Sequence, residues 1–161
     1  MKRRSHLRLR HPWVLGGLIT LVSVAPVLAQ TANFGSLVLS TFPARGQSVD
    51  GRTAGSYALS NIATTDKDGN LCVGYGDVNP DHILVLENDF PSLTLTVDSG
   101  EDTTLLIQGP NDNTIRCGQD ISRSNPDADI SDENWPAGTY RVWVGTHNQG
   151  QRHSYTLSAD E

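Results

Sequence analysis

Carboxylate and amide side chains gather in residues 118–135, "GQDISRSNPDADISDENW". Calcium takes six to eight hard oxygen ligands, which a loop wrapped around the ion can supply. Because residues 118–134 show no apolar periodicity, they are predicted to form a loop, either a calcium site or a solvated acidic surface. The candidate calcium ligands are Asp120, Asn125, Asp127, Asp129 and Asp132.

A second acidic stretch, "TDKDGN", places Asp66, Asp68 and Asn70 at alternating positions, like the first half of an EF-hand loop. The twelfth position counted from Asp66 is Asp77, where an EF-hand has a bidentate glutamate. Asp-Gly is a strong turn signal by itself, so a turn is favoured over a calcium loop here.

The residues needed for hydrolysis are present without an activating pattern. No Gly-x-Ser-x-Gly nucleophile elbow occurs. His147 and His153 flank the "NQGQ" turn, and two histidines without a third ligand are too few for a metal centre. The sequence therefore predicts a non-catalytic protein, with a small hydrolase as an alternative.

The stretch "WPAGTYRVWVG" predicts a strand with Tyr140, Val142 and Val144 on the core face. Arg141 and Trp143 then share the opposite face. One interpretation is a ligand surface for a sugar ring or a peptide. The other buries Trp143 in a second small core, with the alkyl stem of Arg141 packed beside it.

Residues 1–29 have the pattern of an export signal. "MKRRSHLRLRH" carries five basic residues and no acid, and an apolar run ends in Val27-Leu28-Ala29, after which cleavage is predicted. Both the general secretory and the twin-arginine routes fit this pattern. The protein is expected in the periplasm or outside the cell, with membrane contact only through an uncleaved signal.

Cleavage would leave residues 30–161 as a single domain and would change its charge. Five of the 12 Lys and Arg lie in the signal and none of the 18 Asp and Glu do, which leaves seven against 18, a formal net charge of −11. An acidic surface repels phosphate backbones, so nucleic acid is excluded as a partner.

The two cysteines, Cys72 and Cys117, both lie beyond the signal. An oxidising compartment favours a disulfide, and we predict that they pair. A two-thiol redox or metal site is the alternative, although closer spacing would suit it better.

Period-two alternation recurs along the chain, and no segment has apolar residues at helical spacing. We predict an all-β fold, a two-sheet antiparallel β-sandwich of jelly-roll type with about eight strands. Residues 43–53 and 118–134 are predicted loops, and residues 30–53 a loosely packed N-terminal segment. The predicted strands cover residues 35–40, 55–60, 81–87, 92–98, 103–108, 113–117, 139–145 and 153–159. The predicted core is Leu84, Leu86, Leu93, Leu95, Val97, Leu105, Ile107, Tyr140, Val142, Val144, Tyr155 and Leu157. Trp135 is expected to fill one end of the sandwich.

The order of "DTTLLIQGPNDNTIRC", an Asn-Pro-Asp segment and "WPAGTYRVWVGTHNQGQRHSYTLS" resembles the bacterial pre-peptidase C-terminal domain. The resemblance covers about residues 72–159. It implies a secreted β-sandwich with an accessory role in adhesion, substrate binding or secretion, in some cases with calcium ordering a loop. The resemblance does not extend to a protease domain, so a role defined by an attached enzyme does not carry over to this sequence.

The leading hypothesis is an exported, non-catalytic module that binds an extracellular polymer or protein surface, with calcium as the candidate cofactor. A subunit or inhibitor partner of a separately encoded secreted protease is the first alternative, and a small hydrolase the second. The sequence does not specify the ligand or the oligomeric state.

Overall fold

The structure is a computed structural model that describes residues 31–40 and 47–160. The predicted export signal, residues 1–29, lies outside the described residues. A single 3₁₀ turn, Leu59–Asn61, is the one helical element of the described part of the chain. The strands there are β1 (Gly35–Leu39), β2 (Gln47–Arg52), β3 (Tyr57–Ala58), β4 (Tyr75–Gly76), β5 (His82–Leu86), β6 (Phe90–Asp98), β7 (Thr103–Gln108), β8 (Ile115–Gly118), β9 (Asp120–Ser122), β10 (Asn125–Trp135), β11 (Gly138–Thr146) and β12 (Ser154–Asp160).

Two sheets pack face to face, which confirms the predicted all-β sandwich. In the first sheet β11 is central: β5 lies along its first half, β7 along its second half, and β4 meets its last residue. Strands β1, β8 and β3 lie outside β5, β7 and β4. The second sheet has the order β2-β12-β6-β10-β9. One pairing departs from the antiparallel prediction, because β1 runs parallel to β5.

The core between the sheets is formed by the inward-facing residues of the alternating strands. All twelve of the predicted core residues belong to this one buried cluster. Trp135 is fully buried in the same cluster, next to Tyr140, with 5.5 Å between the ring centroids. The period-two pattern therefore identified the core face of β5, β6, β7, β11 and β12.

The prediction of loops is wrong at residues 118–134 and at residues 47–52 of the stretch 43–53, of which residues 43–46 lie outside the described residues. Strands β9 and β10 occupy the first stretch, and β2 lies in the second. Between Asp129 and Trp135, where β10 pairs with β6, the strand places one large apolar side chain in the core, that of Ile130. Strand β2 contributes only the partly buried Val49. Such short apolar patterns carry no recognisable period, so the pairing partner decides the structure. With β4 also undetected, the described residues form twelve strands rather than about eight.

The N-terminal stretch, expected to be loosely packed, is held by pairing and burial. Strand β1 pairs with β5 and β2 pairs with β12. Leu37 and Leu39 of β1 are buried in the main core. Among the described residues, no helix is long and apolar enough to cross a bilayer.

A buried carboxyl ties the N-terminal segment to the sandwich. Asp81 accepts hydrogen bonds from the Val144 amide at 2.8 Å and from Asn33 Nδ2 at 3.3 Å, and its own carbonyl accepts from the Phe34 amide at 2.9 Å. Burial raises the pKa of Asp81 to about 7, because the charged form loses its hydration.

The adjacent His82 is buried as well and links the two sheets. Its Nε2 lies 2.8 Å from the hydroxyl of Tyr155 on β12. Burial lowers the pKa of His82 to about 4 and raises the pKa of Tyr155 above its usual value. The two sheets are therefore joined here by neutral polar groups that hydrogen-bond within the core.

Replacing Asp81 with Asn should remove one component of the pH dependence of stability. The protonated carboxyl stabilises the fold fully below its unfolded pKa of about 3.8, and this contribution is lost as the pH rises through about 7. Relative to Asp81→Asn, we expect the free energy of unfolding of the wild-type protein to fall by roughly 1.4 kcal/mol per pH unit between these values. Urea unfolding at a series of pH values measures this difference.

His82 contributes with the opposite sign, since its stabilisation is present above pH 6.5 and is lost as the pH falls through about 4. It is common to both proteins and cancels in the comparison. Asp98→Asn, at an exposed position at the end of β6, is the control and should show no such trend. A flat difference between the wild-type protein and Asp81→Asn would contradict the buried, protonated carboxyl.

Candidate functional site

The predicted disulfide is confirmed: Cys72 and Cys117 are bonded, with an Sγ–Sγ distance of 2.02 Å. The bond fastens the segment between β3 and β4 onto β8. The buried residues Leu59, Cys72, Leu106, Ile115 and Trp143 form a second, smaller hydrophobic core beneath that segment.

Trp143 is 4% exposed and belongs to this second core, so it does not form a ligand surface with Arg141. The prediction of an exposed Arg141–Trp143 face is wrong, because the segment around Cys72 covers this side of the first sheet. Arg141 instead forms an ion pair with Asp112 in the β7–β8 turn. The alternative interpretation, a second small core containing Trp143, is correct.

A concave site lies where the edge of β8 in one sheet faces the edge of β10 in the other. Arg116 of β8 is 4% exposed, and its Nε donates to Asp132 Oδ2 of β10 at 2.6 Å. Its Nη2 lies 3.4 Å from the carbonyl oxygen of Asn134. Its guanidinium carbon is 4.0 Å from the ring centre of Trp135, a cation–π contact. Three contacts therefore fix the guanidinium between the sheets.

Lys67 reaches the same carboxylate from the "TDKDGN" stretch, with Nζ 3.1 Å from Asp132 Oδ1. The stretch is a turn, as predicted, because the Asp66 carboxylate accepts from the amides of Asp68 and Asn70. Burial would raise the pKa of Asp66, but the hydrogen bonds from Asn70 and Asp68 outweigh it and lower this pKa. The turn thus places a cation beside β10.

The pKa of Asp132 reflects its two cationic partners. Burial alone would raise it, whereas the hydrogen bonds from Arg116 and Lys67 lower it below its usual value. Hydrogen bonding to Asp68 and Asp132 correspondingly raises the pKa of Lys67. Asp132 is therefore a charged anchor for two cations rather than a free metal ligand.

We call the cavity of about 510 Å³ beside this anchor the Arg116 groove. Its walls combine prolines, amides, hydroxyls and charges, and its lining residues are Lys67, Pro110, Asn111, Thr114, Arg116, Ser131, Asp132, Glu133, Asn134 and Pro136. A smaller cavity of about 190 Å³ also borders Arg116 and is lined in part by Asp66, Asp68 and Asp129.

The guanidinium of Arg116 is not fully hydrogen-bonded. Its Nη1 is buried and has no hydrogen-bond partner among the described residues. A buried donor without an acceptor costs free energy, and the described part of the protein leaves few of them. The groove therefore borders a cationic group that retains an unused donor.

The five candidate calcium ligands do not converge on one point. Asp127 is buried, and its Oδ1 accepts from Ser99 and from the Gly100 amide in the turn after β6. Asn125 accepts from the Asp127 amide, Asp120 lies in β9, and Asp132 is held by its two cations. Within residues 31–40 and 47–160, no group of three or more His, Cys, Asp or Glu side chains is placed to hold a metal ion. Calcium binding stays a prediction.

Among the described residues, neither His147 nor His153 is hydrogen-bonded through its ring to a hydroxyl or thiol. His153 lies 3.7 Å from Glu101, and His147 lines a separate hollow beside Tyr75. The ring of the buried His82 is hydrogen-bonded to a hydroxyl, with Nε2 2.8 Å from the Tyr155 oxygen, and burial raises the pKa of Tyr155 above its usual value. A raised pKa does not activate this hydroxyl as a nucleophile.

Sequence reasoning did not identify Arg116. The available signal was a charged residue within the predicted strand "NTIRC", directly before a cysteine. A cation at that position needs a buried acid to pair with it. Asp132 could not be recognised as that acid, because the segment containing it was predicted to be a loop.

Comparison with known proteins gives a similarity in structure and none in sequence. No protein-family model matches this chain, and no curated protein matches it. The chain is similar in structure to the pre-peptidase C-terminal domain of collagenase from Bacillus anthracis, with 12% sequence identity, coverage of 78% of this chain and 94% of that chain, and a TM-score of 0.45. That domain is of the kind that the sequence motifs resemble.

Removing the anchor of the groove should destabilise the protein. In Asp132→Asn, the buried guanidinium of Arg116 loses its counter-ion, for which we expect a loss of about 3 kcal/mol in the free energy of unfolding. Asp112→Asn is the matched control: its carboxylate is 84% exposed and pairs with Arg141, so the loss should stay below about 1 kcal/mol. Urea unfolding of the three proteins measures both; equal losses would refute the role of Asp132 as the anchor.

Proposed function

We propose that this protein is an exported, non-catalytic β-sandwich module that binds an extracellular polymer or protein surface through the Arg116 groove. The observation that carries this proposal is the buried guanidinium of Arg116, which borders the groove and keeps an unused donor at Nη1. A ligand with carbonyl or hydroxyl oxygens would supply a hydrogen-bond acceptor for this donor.

The composition of the groove supports a polar ligand with apolar faces. Asn111, Thr114 and Lys67 offer donors, Glu133 offers acceptors, and Pro110 and Pro136 form apolar walls. Ligand-binding pockets combine a complementary shape with a few polar groups that fix the orientation of the ligand. A rigid sheet edge on each side keeps these groups in position with little ordering cost on binding.

Export is supported by two features. The disulfide between Cys72 and Cys117 suits an oxidising compartment. The predicted signal at residues 1–29 suits the same route. A stable module outside the cell gains from such a covalent tie, since chaperones of the cytoplasm are absent there.

Co-sedimentation with insoluble polymers tests the function. The oxidised protein, residues 30–161, is mixed with collagen, chitin, cellulose or cell wall, in calcium and in chelator. We expect one polymer to bind, and Asn111→Trp, which places a bulky ring in the groove, to reduce the bound fraction at least about tenfold. Loss of binding in chelator would support a role for calcium.

Asn113→Trp is the matched control, because Asn113 is exposed in the same turn and does not line the groove. It should bind like the wild-type protein. Equal losses in the two variants would move the ligand site elsewhere. Absence of binding to every polymer, together with co-purification of a secreted protease with the native protein, would favour the protease-partner alternative.

A further inference from the structure

We propose that the ligand of the Arg116 groove is an extended polypeptide, which adds as a strand to the open edge of β10 and accepts a hydrogen bond from Arg116 Nη1. The inference rests on the proposed function and specifies its ligand class. Strand addition to a sheet edge is a general mode of peptide recognition, in which main-chain hydrogen bonds supply the affinity.

The edge of β10 is open along about half of the strand. Strand β6 pairs with β10 from Asp129 to Trp135. On the opposite side, β9 pairs with Asn125 and Ala128, and the Asp129 amide donates to the Gln119 carbonyl at 3.1 Å. Beyond Asp129, no strand in the described part of the chain pairs with β10 on that side; β8 lies across the groove there and contacts β10 through Arg116 and Asp132.

The alternation of a strand shows which groups face this edge. The Asp129 amide points away from β6, and main-chain amides two residues apart point the same way, so those of Ser131 and Glu133 follow it. The Glu133 amide donates to the Asp132 carboxylate, which agrees with this direction. An edge of this kind is a template for another strand.

The cavities lie along the same edge. The Arg116 groove is lined by Ser131 to Asn134, and the smaller cavity by Asp129 to Asp132. The concave surface therefore follows β10 over residues 129–134, a length of roughly 20 Å at the usual rise of a strand. A polypeptide of five or six residues in extended form has this length.

Arg116 sits between the two cavities, and its Nη1 requires an acceptor. An added strand brings a carbonyl oxygen every second residue to the side that faces β10, which provides that acceptor. A polysaccharide would offer hydroxyl groups, but their spacing does not follow the main-chain groups of a β edge. The edge and the unused donor therefore favour a polypeptide.

Charge favours a basic polypeptide. Asp66, Asp68 and Asp129 line the smaller cavity, and the domain carries a formal charge of −11 after removal of the signal. Basic side chains on one face of the added strand would lie beside these carboxylates.

The test uses a defined probe, an acetylated and amidated decapeptide of alternating Thr and Lys, and the same peptide with every backbone amide N-methylated. The two peptides carry identical charges and side chains, but the second has no main-chain donors. We expect the first to bind, and the second to bind at least about tenfold more weakly by calorimetry. Hydrogen exchange of the Ser131 amide should slow on addition of the first peptide.

Arg116→Lys keeps the charge and removes the Nη1 donor, and Arg141→Lys is the matched control outside the groove. Only the first should weaken binding of the unmethylated peptide. Because Arg116→Lys also weakens the contact with Asp132, melting of both variants is compared, and the N-methylated peptide tests the inference without any substitution.

Equal affinity of the two peptides would overturn strand addition and leave a purely electrostatic contact. If neither peptide binds while Asn111→Trp still abolishes polymer binding, the polypeptide inference fails and the proposed function stands. If neither peptide binds and no polymer binding depends on the groove, both fail.

Discussion

The ion pair between Arg116 and Asp132 joins the edges of the two sheets, and the groove depends on it. Arg116 comes from β8 in the first sheet and Asp132 from β10 in the second, with Nε and Oδ2 2.6 Å apart. Elsewhere the sheets are held mainly by apolar side chains, which adapt to small shifts, and by the hydrogen bond between His82 and Tyr155. A hydrogen-bonded charge pair is directional, so it fixes the distance and the relative position of the two edges.

The disulfide-linked segment completes this side of the protein. It covers the outer edge of β8, where the Lys67 amide donates to the Ile115 carbonyl at 3.0 Å. It also buries Trp143 in the second core and brings Lys67 to Asp132. A covered edge does not pair with other chains, whereas the neighbouring edge of β10 stays open beyond Asp129. The two edges that face each other across the groove are therefore unequal, and this leaves β10 as the accessible one.

Away from the groove, the buried polar groups of Asp81 and His82 have a structural role. Asp81 and His82 tie the first strand and the two sheets together, with His82 Nε2 2.8 Å from the Tyr155 hydroxyl. Buried polar groups cost free energy unless they are hydrogen-bonded, and here they specify the position of the N-terminal segment. At the groove, Arg116 is likewise buried and only partly hydrogen-bonded. Unlike Asp81 and His82, its side chain lines the groove, which makes it part of a candidate binding site.

The sequence by itself determined the all-β class, the core face of five strands and the pairing of its two cysteines. These follow from local alternation and from composition, which need no knowledge of distant neighbours. Leu93, Leu95 and Val97 of β6 show this well, because their alternation with polar residues marks the core face directly. The turn at Asp66 was likewise predictable, since its hydrogen bonds stay within five residues.

Only the tertiary structure decided the groove. Strand β10 has too few apolar residues for a visible period, so its pairing with β6 and the partnership of Asp132 with Arg116 could not be predicted. The burial of Trp143 depended on a covering segment that the disulfide holds in place, and alternation along a strand cannot show whether its second face is covered. Local patterns specify which face of a strand is apolar, while contacts between residues distant in sequence determine which edges meet and which side chains are left exposed.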